Sequence, residues 1–130
     1  MTRKFLRAKI HRATVTQSDL HYEGSISIDT ALMRAAGMVE FEAVHVWNIN
    51  NGERFETYII PAKENSGEIG LNGAAARRAQ VGDRVILATF CHLDEAEAKR
   101  HQPAIVFVDE RNRQQKTGAP VMDAPALIET

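Results

Sequence analysis

The sequence predicts a small mainly β domain, a barrel of strands joined by short helical connections. Three observations carry this: 130 residues suit one compact unit, strand-like segments outnumber helical ones, and turn signals separate them at short intervals. At this size folding buries roughly two-thirds of the unfolded surface, enough for a core without disulfides or structural metal.

Residues 3–16 mix β-branched, basic and apolar side chains without a helical stripe, so they read as one long strand or two, with Lys9 and His11 on one face. Residues 18–24 read as a turn and return, and 25–28 as a short strand. Asp29 is suited to cap a helix running through Ala36, and Gly37 to end it. Residues 41–49 and 53–60 are strand-like on either side of Asn50-Asn51-Gly52, a turn sequence suited to positive φ, which predicts a hairpin. Pro61 and the polar stretch 63–67 end that unit. Asn72-Gly73 opens a short alanine-rich helix, and Val81-Gly82-Asp83 turns into a strand over 84–90. Residues 94–101 read as an exposed helix and 104–108 as a last strand. After Glu110 the chain becomes polar and loses periodicity, which sets the domain at 1–110 and leaves 111–130 as a mobile tail.

Sixteen basic side chains against seventeen acidic ones give no global argument for nucleic acid or an anionic membrane. Residues 1–24 are locally basic, with Arg3, Lys4, Arg7, Lys9 and Arg12 against Asp19 and Glu23, a net of +3. This excess suits either the steering of an acidic substrate or a solvated strand edge. Cys91 is the only cysteine, which excludes an intrachain disulfide and a multi-cysteine zinc site and fits a reducing compartment. No apolar run approaches the ~20 residues of a membrane span, and the expectation is a soluble, cytoplasmic chain. His21, His45, His92 and His101 show no metal-ligand spacing, so no metal is expected.

The informative segment is His21-Tyr22-Glu23-Gly24-Ser25-Ile26. A Gly-Ser bond in a constrained turn can undergo an N→O acyl shift, with glycine supplying an approachable carbonyl and backbone freedom, and serine a hydroxyl that attacks once that carbonyl is polarised. Elimination from the resulting ester, then hydrolysis, leaves a pyruvoyl group and divides the chain into 1–24 and 25–130. Alone, Gly-Ser is an ordinary turn dipeptide.

Its context makes it specific. Through KIHRATVT at 9–16, DLHYEGSISID at 19–29, AGMVEFEAVHVWNINNGERFETYII at 36–60 and LNGAAARRAQVGDRVILATF at 71–90, the chain resembles the aspartate 1-decarboxylase family, up to about residue 110. The resemblance implies a double-psi β-barrel, a homotetramer, self-cleavage at Gly24-Ser25, and pyruvoyl-dependent decarboxylation of L-aspartate to β-alanine and CO2 for pantothenate synthesis. It implies Ser25 as pyruvoyl precursor and Schiff-base site, Tyr58 as proton donor, and Gly24, Ser25 and Thr57 as the processing residues. Lys9, His11, Trp47, Arg54, Thr57, Asn72, Gly73, Ala74 and Ala75 fall on its substrate-binding positions. Position 26 is Ile, read as a tolerated neighbour of the cut, and the stretch after Glu110 departs most from the pattern.

The residue types suit these tasks. Arg54 can grip a carboxylate with two parallel hydrogen bonds, Lys9 adds a second positive centre, and a phenol such as Tyr58 can protonate carbon. Each also has an ordinary reading as strand-surface charge, rim aromatic or turn residue. Two other classes stay open at this stage: a non-enzymatic β-barrel binding module, and a self-cleaving hydrolase using a new N-terminal serine. Whether maturation needs a helper protein is not legible in the sequence.

Overall fold

The computed structural model describes residues 1–21 and 24–115. Eight strands form one mixed sheet, in the order β2 (Gln17–Asp19), β6 (Ile69–Asn72), β3 (Ser25–Asp29), β5 (Arg54–Ala62), β4 (Ala43–Asn48), β7 (Arg84–Leu93), β1 (Arg3–Thr14) and β8 (Ala104–Phe107). The mainly β class with short helical connections is the expected one.

Strand β1, Arg3–Thr14, buries Ala8 and Ile10 on one face and leaves Lys9 and His11 on the other, the alternation of an extended chain. At Arg12, φ is 64°, and four residues, Ile10 to Ala13, span what three, Leu87 to Val85, span on the partner strand. This bulge absorbs one residue, so that Ala13 and Val15 return to the buried side. The short strand β2, Gln17–Asp19, is wholly exposed and pairs parallel with β6, Ile69–Asn72. Neither was anticipated as a strand.

Strand β3, Ser25–Asp29, is buried along its whole length between β5 and β6. Asp29 closes it and caps α1, Thr30–Ala36, its carboxylate accepting from the backbone N–H groups of Ala31, Asn65 and Gly67 at 2.8, 2.9 and 2.8 Å. Gly37 ends the helix at φ 73°, the left-handed conformation glycine favours. The hairpin of β4, Ala43–Asn48, and β5, Arg54–Ala62, turns through residues 50–52 as expected. Pro61 does not end β5: it lies within the strand, opposite Ile28 of β3. Pairing with β4 has stopped at Tyr58, so on that side no ladder partner needs an N–H from Pro61.

After β6 comes a short 3-10 helix, Gly73–Arg77, then β7, Arg84–Leu93, which pairs with both β1 and β4. Helix α2, Glu95–Lys99, starts with a reciprocal cap between Asp94 and Glu97. Strand β8, Ala104–Phe107, lies parallel to β1. Ile10, Ile26, Ile28, Leu32, Ile59, Ile69, Leu71 and Leu87 are the largest fully buried side chains.

Packing and hydrogen bonding to the strands continue beyond Glu110. Asn112 is buried, accepts from the Thr14 N–H at 2.7 Å and donates to the carbonyls of Thr14 and Gly67 at 2.8 Å each. A polar residue in an aperiodic stretch gives no hint that its amide will match three backbone groups elsewhere. The rest of the expected tail, and positions 22 and 23 of the expected turn, lie outside the described residues.

Candidate active site

The chain bends at Gly24 and enters β3 with Ser25, whose exposure falls to 1%. Antiparallel pairing sets Ser25 opposite Asn72 at the end of β6, and the Asn72 side-chain amide donates to the Ser25 hydroxyl at 3.1 Å. Asn72 sits where a helix cap would, yet its side chain makes no cap bond. Gly73 follows at φ 64° and turns the chain into the 3-10 helix. Gly24, Thr57, Ala74 and Ala75 line a cavity of about 250 Å³ with Phe55, Glu56 and Arg78. The pairing and this cavity gather Gly24, Ser25, Thr57, Asn72, Gly73, Ala74 and Ala75 at one place.

A Cβ built at Gly24 meets nothing within 4 Å among the described residues, so crowding there does not by itself call for glycine.

The remaining expected residues lie on the face of the sheet opposite Thr57, the face that Ser25 and Ser27 share, since Ser27 pairs with Ile60. Cross-strand partners share a face, and Ala43–Tyr58, His45–Glu56 and Trp47–Arg54 are partners, as are His45–Ala88 and Ala88–Lys9. Arg54 is exposed, and its guanidinium carbon lies 4.5 Å from the centre of the Trp47 ring, a stacked cation–π contact that leaves in-plane N–H donors available. These two border a recess of about 450 Å³ with Lys4, His45, Glu56 and Phe90. The ring of Tyr58 lies 6.2 Å from that of Phe41, which is 68% exposed. His11 packs edge-on against Phe107, at 5.6 Å between ring centres, and its buried Nδ1 has no hydrogen-bond partner among the described residues. Burial, then the charges of Lys9 and Arg12, hold its imidazole below the usual histidine value.

Glu56 and Arg78 were not anticipated. Glu56 borders both recesses, and Arg78, paired with Glu53 at 3.0 Å, closes the cavity beside Gly24. The only sequence signal for Arg78 is its place one turn beyond Ala74 and Ala75. Among the described residues no three His, Cys, Asp or Glu side chains converge on a metal site, and no helix is long and apolar enough to cross a membrane.

Fold and site define a small mainly β protein built around a buried serine at a chain bend, with a threonine-lined cavity beside the preceding glycine. The chain belongs to the aspartate decarboxylase family, whose model matches residues 1–115. It is similar to the aspartate 1-decarboxylases of Methylibium petroleiphilum, 57% identical over 113 residues covering 87% of this chain and 94% of that one, and of Bordetella avium, 58% identical with 87% and 93% covered. That of Laribacter hongkongensis is 51% identical over 127 residues, with 96% of this chain and all of the relative covered.

Proposed function

We propose that this chain is a carboxy-lyase that converts L-aspartate to β-alanine and CO2 for pantothenate synthesis, after cutting itself between Gly24 and Ser25 to make a pyruvoyl group from Ser25. The observation that carries this is the buried Ser25 hydroxyl, held by Asn72 next to the cavity that Thr57 shares with Gly24, in a chain of the aspartate decarboxylase family.

In self-cleavage, Ser25 Oγ adds to the Gly24 carbonyl carbon while Thr57 polarises that carbonyl. The C–N bond breaks, the hydroxyl proton passes to the departing Ser25 nitrogen, and an ester remains. Water takes the Ser25 Cα proton, the Cβ–Oγ bond breaks, and Gly24 leaves as a carboxylate. The dehydroalanine that remains takes up water and releases ammonia. A buried position held by Asn72 fits the ketone so formed, whose chemistry is to draw electrons from the carboxylate bond of an attached amino acid.

The chain's own residues then bind and protonate. Arg54 grips the substrate side-chain carboxylate in a bidentate contact, and Lys9 adds charge. Trp47 stacks on Arg54, His11 stands beside Lys9 as a neutral ring, and the N–H groups of Gly73, Ala74 and Ala75 donate to a further oxygen. Tyr58 delivers the proton to Cα after CO2 leaves.

Trp47 and Arg54 border a recess that neither Gly24 nor Ser25 lines, which supports an assembly in which one copy brings that recess, with Lys9 and His11, to the Ser25 of another. The assembly proposed is a homotetramer with pockets at subunit boundaries, working in the cytoplasm.

Intact mass tests the reading. A 1–24 fragment and a 25–130 fragment lacking the Ser25 amine are expected. An uncut chain would favour a binding module, and a cut chain that keeps the amine would favour a hydrolase.

A further inference from the structure

Ser27 lies two residues along β3 from Ser25 and on the same face of that strand, between the fully buried Ile26 and Ile28. It is only 8% exposed, a position where packing alone would suit an apolar side chain. Its hydroxyl meets one specific group: Asn72 Nδ2, at 3.1 Å, the same nitrogen that lies 3.1 Å from Ser25 Oγ. A primary amide nitrogen carries two hydrogens. The two serine oxygens therefore occupy both, and together they fix the rotation of the amide, a terminal torsion that is otherwise broad.

We propose that Ser27 is a positioning residue for self-cleavage, holding the Asn72 amide so that one N–H stays on Ser25 Oγ. This rests on the reading that the Gly24–Ser25 bond is cut. Negative charge arrives on that oxygen when the Cβ–Oγ bond of the ester breaks and the electron pair leaves with the Gly24 carboxylate. A donor already aimed at the oxygen lowers the barrier to that step, because it needs no reorientation. An amide released by loss of Ser27 meets the oxygen less often, so elimination slows and the ester before it accumulates.

The test compares Ser27→Thr with Ser27→Val, which are alike in shape and differ in the hydroxyl. Ser27 also borders an open recess of about 860 Å³, which gives space for an added methyl. Scission is followed by mass after synthesis, and uncut chain is treated with hydroxylamine under denaturing conditions, which releases residues 1–24 as a hydroxamate from an ester at Gly24, a mass distinct from any cut at Asn51-Gly52 or Asn72-Gly73. Ser27→Thr should cut at the parent rate. Ser27→Val should cut about three- to tenfold more slowly, the weight of one hydrogen bond, and its uncut chain should be hydroxylamine-labile. A role in packing alone would not build up ester. Ser27→Ala, which removes the hydroxyl without adding volume, repeats the experiment if valine disturbs β3. Scission at the parent rate in the valine and alanine variants, or equal slowing in the threonine one, overturns the proposal. A parent chain that is never cut removes the functional reading itself, before any variant is compared.

Discussion

Thr57 and Tyr58 are consecutive on β5 and face opposite sides of the sheet: Thr57 pairs with the buried Val44, and Tyr58 pairs with Ala43, its ring 6.2 Å from that of Phe41. Thr57 borders the cavity beside Gly24, whereas Tyr58 shares its face with Arg54. The two hydroxyls therefore serve different events. Thr57→Val should slow self-cleavage, which mass spectrometry reads directly. Tyr58→Phe should be cut normally and still form a cyanoborohydride-trappable aspartate adduct, yet release β-alanine about 10²–10⁴-fold more slowly, the usual weight of a general acid. Release near the parent rate would return Tyr58 to the role of a rim aromatic.

The proposed pockets at subunit boundaries give a test by complementation. Ser25→Ala lacks the precursor of the ketone, and Arg54→Ala lacks the grip on the substrate carboxylate. Co-expressed, the two should yield more activity than either alone, because mixed assemblies contain pockets with an intact Ser25 from one copy and an intact Arg54 from another. If all the groups of a pocket came from one chain, the mixture would show only the average of its components.

Asn112 joins the two fragments that the proposed cleavage would create, bonding to both backbone groups of Thr14 on one side of the cut and to the carbonyl of Gly67 on the other. Asn112→Ala leaves those buried groups without their partner and should destabilise the protein by about 1–3 kcal/mol. In a urea series analysed by size exclusion, the 1–24 fragment should leave the variant at lower urea than the parent. Unchanged release would mean that pairing of β1 with β7 and β8 is sufficient.

His11 carries a pH signature. Burial, with Lys9 and Arg12, lowers its imidazole below 6.5, so folding favours the neutral ring. Its contribution to stability is complete above 6.5 and declines as pH falls, since the unfolded chain takes the proton first, until the folded imidazole titrates too. Lys9→Gln removes the second cause and should move the His11 midpoint upward in an NMR titration. A midpoint that stays in place or falls would leave burial and Arg12 as the causes of the shift.

What the sequence alone determines here is local. The cap at Asp29, the stop at Gly37 and the hairpin turn at Asn50-Asn51-Gly52 each depend on a few neighbouring residues, and each is found where it was expected. The chemical types at the site, a serine after a glycine, a threonine beside a tyrosine, and an arginine two residues beyond a turn, are legible for the same reason. Tertiary structure alone decides their grouping. The three exposed residues of β2 carry no periodicity and become a strand only against residues 70–72, some fifty positions on. Asn112 joins the domain because three backbone groups, at Thr14 and Gly67, match its amide. One residue of bulge at Arg12 and the strict alternation along β5 set Lys9, Arg54 and Tyr58 on the face opposite Thr57. Propensities and turn chemistry act over a few bonds, whereas register and facing are set by hydrogen bonds between strands far apart in the chain, and a slip of one residue there would send every side chain to the other face.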